Sequence, residues 1–194
     1  MLPKILVFAG SNRTGAYSKK VANAAVKTLA ELGADVTLIA LFDYPLPLMD
    51  EDLEEKQGIP DNAMKLGRLF AAHDGMLIAS PEYNSSIPPL LKNTIDWVSR
   101  ISKDGDKPLK PYSGKVVGLC SSSEGNFGGA RGLYHLRSVL MNVGTQIITE
   151  QCSVIHAHEA FAEDGSFRNE RTAKSMERVC QSLIDHTRFA KSRA

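Results

Sequence analysis

A doubly wound α/β architecture with a five-stranded parallel sheet is the fold this sequence predicts, and three observations predict it. Short apolar runs recur along the 194 residues and alternate with stretches of helical periodicity. The runs carry few polar residues, the pattern of strands buried on both faces. Two polar, ligand-like loops follow the first and third runs, the positions that flank the switch point of a sheet ordered 2-1-3-4-5. Right-handed crossovers then put helices on both faces. No internal repeat or linker interrupts the pattern, so residues 1–194 read as one domain.

Residues 4–10, Lys-Ile-Leu-Val-Phe-Ala-Gly, are the first strand. A polar loop over 11–18 leads into a helix over 18–32, with Val21, Ala25 and Leu29 as its inner stripe, Ser18 as N-cap and Gly33 at the left-handed position beyond its end. Residues 35–41 alternate through Val36 and Leu38 as the second strand. The stretch 42–60, with Pro45, Pro47, Pro60 and the acids of 50–55, reads as a long loop serving as a lid or an interface. Its acids read as a solvated face, because no converging ligand set accompanies them.

A helix over 61–72, with Ala63, Leu66, Leu69 and Phe70, precedes the third strand at 75–79. Residues 80–100 are the centre of the chain. Pro81 pins the exit from the strand, Asn84, Ser85 and Ser86 favour a tight turn, and Pro88-Pro89 opens a helix where the missing N–H costs nothing. That helix carries Leu91, Ile95 and Val98 on one face and spaces Lys92, Asp96 and Arg100 for i,i+4 ion pairs; Trp97 belongs to the core or to a subunit interface. After a loop over 103–113, the fourth strand spans 115–120 and a glycine-bearing polar loop 121–129. A helix over 130–142, stopped by Gly144, leads to the fifth strand at 146–154. A final helix over 169–189 carries Met176, Val179, Leu183 and Ile184.

With 43% hydrophobic residues, 23% charged residues and a net charge of +1, the chain is neither a disordered segment, an acidic carrier nor a nucleic-acid binder. A small-molecule partner is what remains. Cys120, Cys152 and Cys180 lack metal-type spacing and sit in apolar or helical surroundings, which makes them buried, inert thiols. With no signal peptide before Lys4, the expected location is cytoplasmic. No apolar run is long enough to cross a membrane. His156 and His158 would share one face of a strand but are too few for a metal site, and His135 is assigned to a subunit contact with Tyr134 and Arg131.

The first loop has the makings of an anion site. Free N–H groups at a helix start, hydroxyls from Ser11, Thr14 and Ser18, and the Arg13 guanidinium suit a phosphate; an ordinary capped turn is the alternative. It is neither a Gly-Lys-Ser/Thr phosphate loop nor a Gly-x-Gly-x-x-Gly fingerprint. The other two loops offer backbone donors and few charges, which suits a flat neutral heterocycle. FMN, a planar ring carrying one phosphate monoester, answers both descriptions, whereas ATP would call for a metal and a lysine.

The motifs themselves carry a resemblance. Gly10-Ser11-Asn12-Arg13, Pro81-Glu82-Tyr83-Asn84-Ser85, Leu91-Lys92-Asn93-Thr94-Ile95-Asp96-Trp97 and Ser123-x-Gly125-x-x-Gly128-Gly129-Ala130-Arg131 resemble the motif set of the NADPH-dependent FMN reductase family, nearest to its bacterial quinone and chromate reductases. The likeness runs from the first strand to at least Arg137. It implies a flavodoxin-like fold, bound FMN, NADPH or NADH as co-substrate, and two-electron transfer to a quinone or a similar acceptor such as chromate or an azo compound. It also implies that Ser11, Arg13 and Ser18 hold the FMN phosphate, that Pro81, Glu82, Tyr83, Asn84 and Ser85 border the isoalloxazine, and that Ser123 and Gly125 reach its pyrimidine edge. No protein nucleophile is needed. One position departs from the pattern: Ala16 stands where the family commonly has serine.

Two other functions share these motifs in part. One is an FMN reductase that supplies free reduced flavin to a partner monooxygenase. The other is a flavodoxin-type electron carrier, against which the near-neutral charge and Arg13 argue. A homodimer or homotetramer is expected, with residues 87–100 and 131–137 among its contacts, because a lone subunit would leave an aromatic-bearing helix half exposed.

Overall fold

In the computed structural model, which describes residues 2–193, five parallel strands form one sheet. They are β1 (Lys4–Ala9), β2 (Asp35–Ile39), β3 (Gly75–Pro81), β4 (Val116–Ser122) and β5 (Gln146–Val154), paired in the order β2-β1-β3-β4-β5. β1 lies inside the sheet, between β2 and β3, as the near-complete burial of residues 5–9 requires, and it pairs Ile5 with Val36 on one side and Gly75 on the other. This is the flavodoxin-like order that the loop positions predict.

Each face of the sheet has its own core. On one, Val7, Leu77 and Cys120 pack under α1 (Tyr17–Glu31) and α6 (Glu170–Lys191), through Val21, Ala25, Leu29, Val179 and Leu183. On the other, Phe8, Ile78 and Leu119 meet α3 (Asp61–Ala72), α4 (Pro89–Ser99) and α5 (Ala130–Asn142), with Phe8 stacked on Phe70 at 5.5 Å. The pairing of β4 with β5 slips beyond Val117, and Arg137 fills the irregularity by donating to the carbonyls of Ile148 at 2.8 Å and Thr149 at 3.2 Å.

Several expectations change. The segment between β2 and α3 is not a free lid, since it contains a short helix, α2 (Glu51–Gln57), capped by Asp50, and it is fastened to α4. Trp97 Nε1 donates to the Pro47 carbonyl at 2.8 Å, Asn93 brackets the same stretch by donating to Pro47 and accepting from the Met49 N–H, and Arg100 pairs with Glu54 at 2.8 Å. The sequence spaces Arg100 for Asp96, but only the Lys92–Asp96 pair forms, because Glu54 lies closer to hand. Trp97 is therefore core, fully buried within its own subunit, and the half-exposed aromatic helix that motivated an oligomer is not there. A two-residue antiparallel pair, 103–104 with 107–108, interrupts the following loop.

β3 and β4 run on to Pro81 and Ser122, two residues beyond the predicted ends, because the two strands keep pairing through Pro81 and Ser122. His156 and His158 fall past the end of β5, where their rings stand edge-on at 6.2 Å, so they do not share a strand face. All three cysteines are buried and free. Burial holds the Cys180 thiol at about 12. Among the described residues no group of three or more potential ligands could hold a metal ion, and no helix is long and apolar enough to cross a membrane.

Candidate functional site

Three loops meet at the carboxyl ends of β1, β3 and β4, and specific contacts bring them together. Gly10 N donates to the Ala79 carbonyl at 2.9 Å, and a Cβ at Gly10 would stand 3.1 Å from Leu91 and 3.4 Å from Pro81, so glycine lets the first loop lie against the second. The Tyr17 hydroxyl donates to Glu124 at 3.1 Å, tying the first loop to the third. Desolvation, helped by the Glu124 carboxylate, raises the Tyr17 phenol above its ordinary range and keeps it a donor.

In the first loop, α1 begins after Ala16, not at Ser18. Ala16 has no side-chain acceptor and the first turn has no acidic residue, so no side chain caps the helix start. Ser18 lies inside that first turn, 1% exposed, and its hydroxyl has no hydrogen-bond partner. Such an orphan is uncommon, because a buried hydroxyl normally finds a partner in the fold. Ser11 is also buried, its Oγ accepting from the Arg13 N–H at 3.3 Å, while Arg13 itself is exposed with its guanidinium 5.5 Å from the centre of the Tyr17 ring. Lys20 lies 5.9 Å from the same ring. A cationic group, an uncapped helix start and an unpaired buried hydroxyl together suit a phosphate. With Ala16 unable to contribute a hydroxyl, Ser18 and Ser11 are the buried hydroxyls left to do so.

In the second loop, residues 83–86 form a tight turn closed in both directions, Tyr83 N to Ser86 O at 3.1 Å and Ser86 N to Tyr83 O at 3.0 Å. Asn84 and Ser85 take φ of +50° and +64°, a pair of left-handed residues of which only asparagine is at ease there. Tyr83 is exposed at the rim. The Glu82 carboxylate turns away toward α5, accepting from Arg131 at 2.8 Å and from the Gly132 N–H at 2.9 Å. His135 is likewise engaged within the subunit, its Nδ1 2.9 Å from Ser86 Oγ. Arg131 and His135 fasten the second loop to α5 within the subunit.

In the third loop, Ser123 Oγ accepts from the Gly125 N–H at 3.2 Å, and the open side of Gly125 meets nothing nearer than that hydroxyl. Ser122, which the sequence reading passed over, has a buried hydroxyl without a partner. The signal was the run Ser121-Ser122-Ser123 at a strand end, where alternate hydroxyls must point to opposite faces. Among the described residues the third such hydroxyl, Thr187, lies far from the loops, against the start of β3.

A cleft of about 1010 Å3 lies not among these loops but beside them, lined by the end of β5, residues 155–161 and the start of α6. It adjoins the third loop through the Ala157 N–H, which donates to Ser123 O. There Asn169 caps α6 by accepting from the N–H groups of Arg171 and Thr172, and Arg168 Nε donates to Phe161 O. The first loop, where an orphan buried hydroxyl and an uncapped helix start stand together, is better suited to an anion.

Residues 3–159 match the model of a protein family described as NADPH-dependent FMN reductase. The chain belongs to that family. Its fold, its membership and its donor-rich loops agree on an oxidoreductase whose cofactor is FMN and whose electron donor is NAD(P)H. Similar proteins include a quinone reductase of Escherichia coli (strain K12), 31% identical over 183 residues, which cover 94% of this chain and 88% of that protein. An NAD(P)H-dependent FMN reductase of Pseudomonas aeruginosa is 31% identical over 181 residues, covering 93% and 92%. Among solved structures, the flavoenzyme NAD(P)H:(acceptor) oxidoreductase from Paracoccus denitrificans superposes with a TM-score of 0.79 at 27% identity, covering 97% of this chain and 99% of that one.

Proposed function

We propose that the three loops of this FMN reductase hold one FMN and that the enzyme passes two electrons from NAD(P)H to a quinone or a similar acceptor. The observation that carries the reading is the buried Ser18 hydroxyl without a partner, at an uncapped helix start beside Arg13. The quinone reductase of Escherichia coli supports the acceptor class. FMN, when bound, supplies the hydride acceptance and electron delivery that side chains cannot.

The chain's own residues bind and orient. Ser11, Arg13 and Ser18 would hold the phosphate, Arg13 by a charge-assisted fork and the serines by hydroxyl donors. Pro81, Tyr83, Asn84 and Ser85 would border the ring with a rigid turn. Ser123 and Gly125 would face its pyrimidine edge, where the Ser123 hydroxyl, held in place by the Gly125 N–H, would be a preorganised donor that favours accumulating negative charge. Residues 1–194 would act as one FMN-binding domain in the cytoplasm.

The test is spectroscopic and kinetic. The purified protein should be yellow, lose its colour on addition of NADPH alone and regain it with a quinone. Because nicotinamide and quinone would use one open cleft in turn, initial-rate lines at several quinone concentrations should be parallel. Intersecting lines, with no bleaching until quinone is added, would mean that both substrates bind together. The exposed Tyr83, Phe127 and Tyr134 at the rim also support a dimer or a dimer of dimers, for which light scattering at micromolar concentration should give a mass at least twice 21.1 kDa. A fully active monomer would remove the oligomer from the reading.

A further inference from the structure

We propose that Glu82 is a positioning residue that caps α5 from across the site and thereby fixes the second and third loops against each other, an inference that rests on the FMN reading above.

The need for such a cap begins at Gly129. This residue precedes α5 with φ of +81° and has no side chain to accept from the first turn, which also contains no acidic residue. The space allows nothing larger. A Cβ at Gly129 would stand 3.1 Å from Ser121 Cβ and 3.4 Å from Glu82 Cβ, and one at Gly132 would stand 3.1 Å from the Ser86 carbonyl and 3.4 Å from Glu82 Cγ. The helix start has thus lost its own capping group so that the second loop can approach it.

Glu82 supplies what is missing from 50 residues away: Oε2 accepts from the Gly132 N–H at 2.9 Å. Its Oε1 accepts from Arg131 Nη2 at 2.8 Å and Nε at 3.2 Å. The Glu82 side chain is 8% exposed and Arg131 53%, so the carboxylate is the buried member of the pair. It is a negative charge at the positive end of a helix, satisfied by three donors. Both oxygens are engaged by α5, so the side chain would contribute to binding through the geometry it imposes.

That geometry reaches both loops. Glu82 is joined by one peptide to Tyr83, whose turn with Ser86 is closed in both directions, and Ser86 is tied to α5 again through His135. Removing the carboxylate therefore loosens the turn that would border the ring. It also leaves the Arg131 cation and a bare helix start beside the site, and this excess positive potential favours the more negative, reduced flavin. FMN affinity should fall and the flavin midpoint potential should rise.

The experiment uses the holoenzyme and the variants Glu82→Ala, Glu82→Gln and Arg131→Ala. For each, the FMN dissociation constant, the visible circular dichroism of the bound flavin, its midpoint potential, kcat and KM for a quinone, and the thermal midpoint are measured. Glu82→Ala is expected to weaken FMN about tenfold, with an altered flavin dichroism and a raised potential. Glu82→Gln keeps a carbonyl for the Gly132 N–H and should fall between alanine and wild type. Arg131→Ala leaves the Gly132 bond in place and should cost less than Glu82→Ala. If the variants lose thermal stability while FMN affinity, dichroism and potential match wild type, Glu82 is merely structural and the proposal is overturned. Should the alanine variant not fold, an unchanged FMN affinity and potential in Glu82→Gln has the same force. Wild type that binds no FMN would instead sink the function proposed above.

Discussion

Arg13→Ala is expected to weaken FMN by roughly 30-fold while leaving riboflavin within about twofold, because a charge-assisted hydrogen bond contributes about 1.5–3 kcal/mol and only FMN carries the phosphate that Arg13 would meet. Arg13 stands over the Tyr17 ring, not in a carboxylate pair, so its removal leaves no buried acid unpaired. Folding should therefore be unaffected. The discrimination should be greatest above about pH 6, where a phosphate monoester is doubly charged, and should shrink below it. Titrating apoprotein with each flavin, by quenching of flavin fluorescence, reads both constants. Equal losses for FMN and riboflavin would remove the phosphate from the first loop.

Gly128→Ala should be the most destabilising single-methyl change in the third loop. Gly128 has φ of +55°, and a Cβ there would lie 2.9 Å from the backbone carbon of Val154 and 3.0 Å from Ile155 N. Backbone cannot step aside as a side chain would, so left-handed strain and overpacking add to about 3 kcal/mol. Gly15→Ala is the control: its φ of +68° is equally left-handed, but no atom lies within 4 Å of its Cβ. It should cost only about 1 kcal/mol. Urea unfolding of the two variants separates close packing from conformational preference, and similar midpoints would mean that the third loop yields to the added methyl.

The strands, the helices at 61–72 and 130–142, and the last strand at 146–154 were legible in the sequence because each is specified by its own periodicity. The features that motivate the phosphate proposal, the first loop's hydroxyls, its arginine and the helix that follows, are likewise local. Helix starts were less legible. Ser18 looks like a cap by composition, yet the chain enters α1 two residues earlier and leaves that hydroxyl buried and unpaired.

What the sequence by itself determined is the parallel sheet, the order 2-1-3-4-5 implied by its ligand-like loops, and the family motifs. Only the tertiary structure decided what those motifs hold. Asn93 and Trp97, four residues apart in one of them, grip Pro47 and make a tethered segment of the supposed lid. Glu82, Arg131 and His135, polar residues that read as ligand or subunit contacts, make hydrogen bonds that join the second loop to α5. Periodicity reports which side of an element is buried, because that depends on neighbours three or four residues away. The partner of a carboxylate or an indole N–H depends on which distant backbone the crossovers bring within 3 Å, and no local pattern encodes that distance.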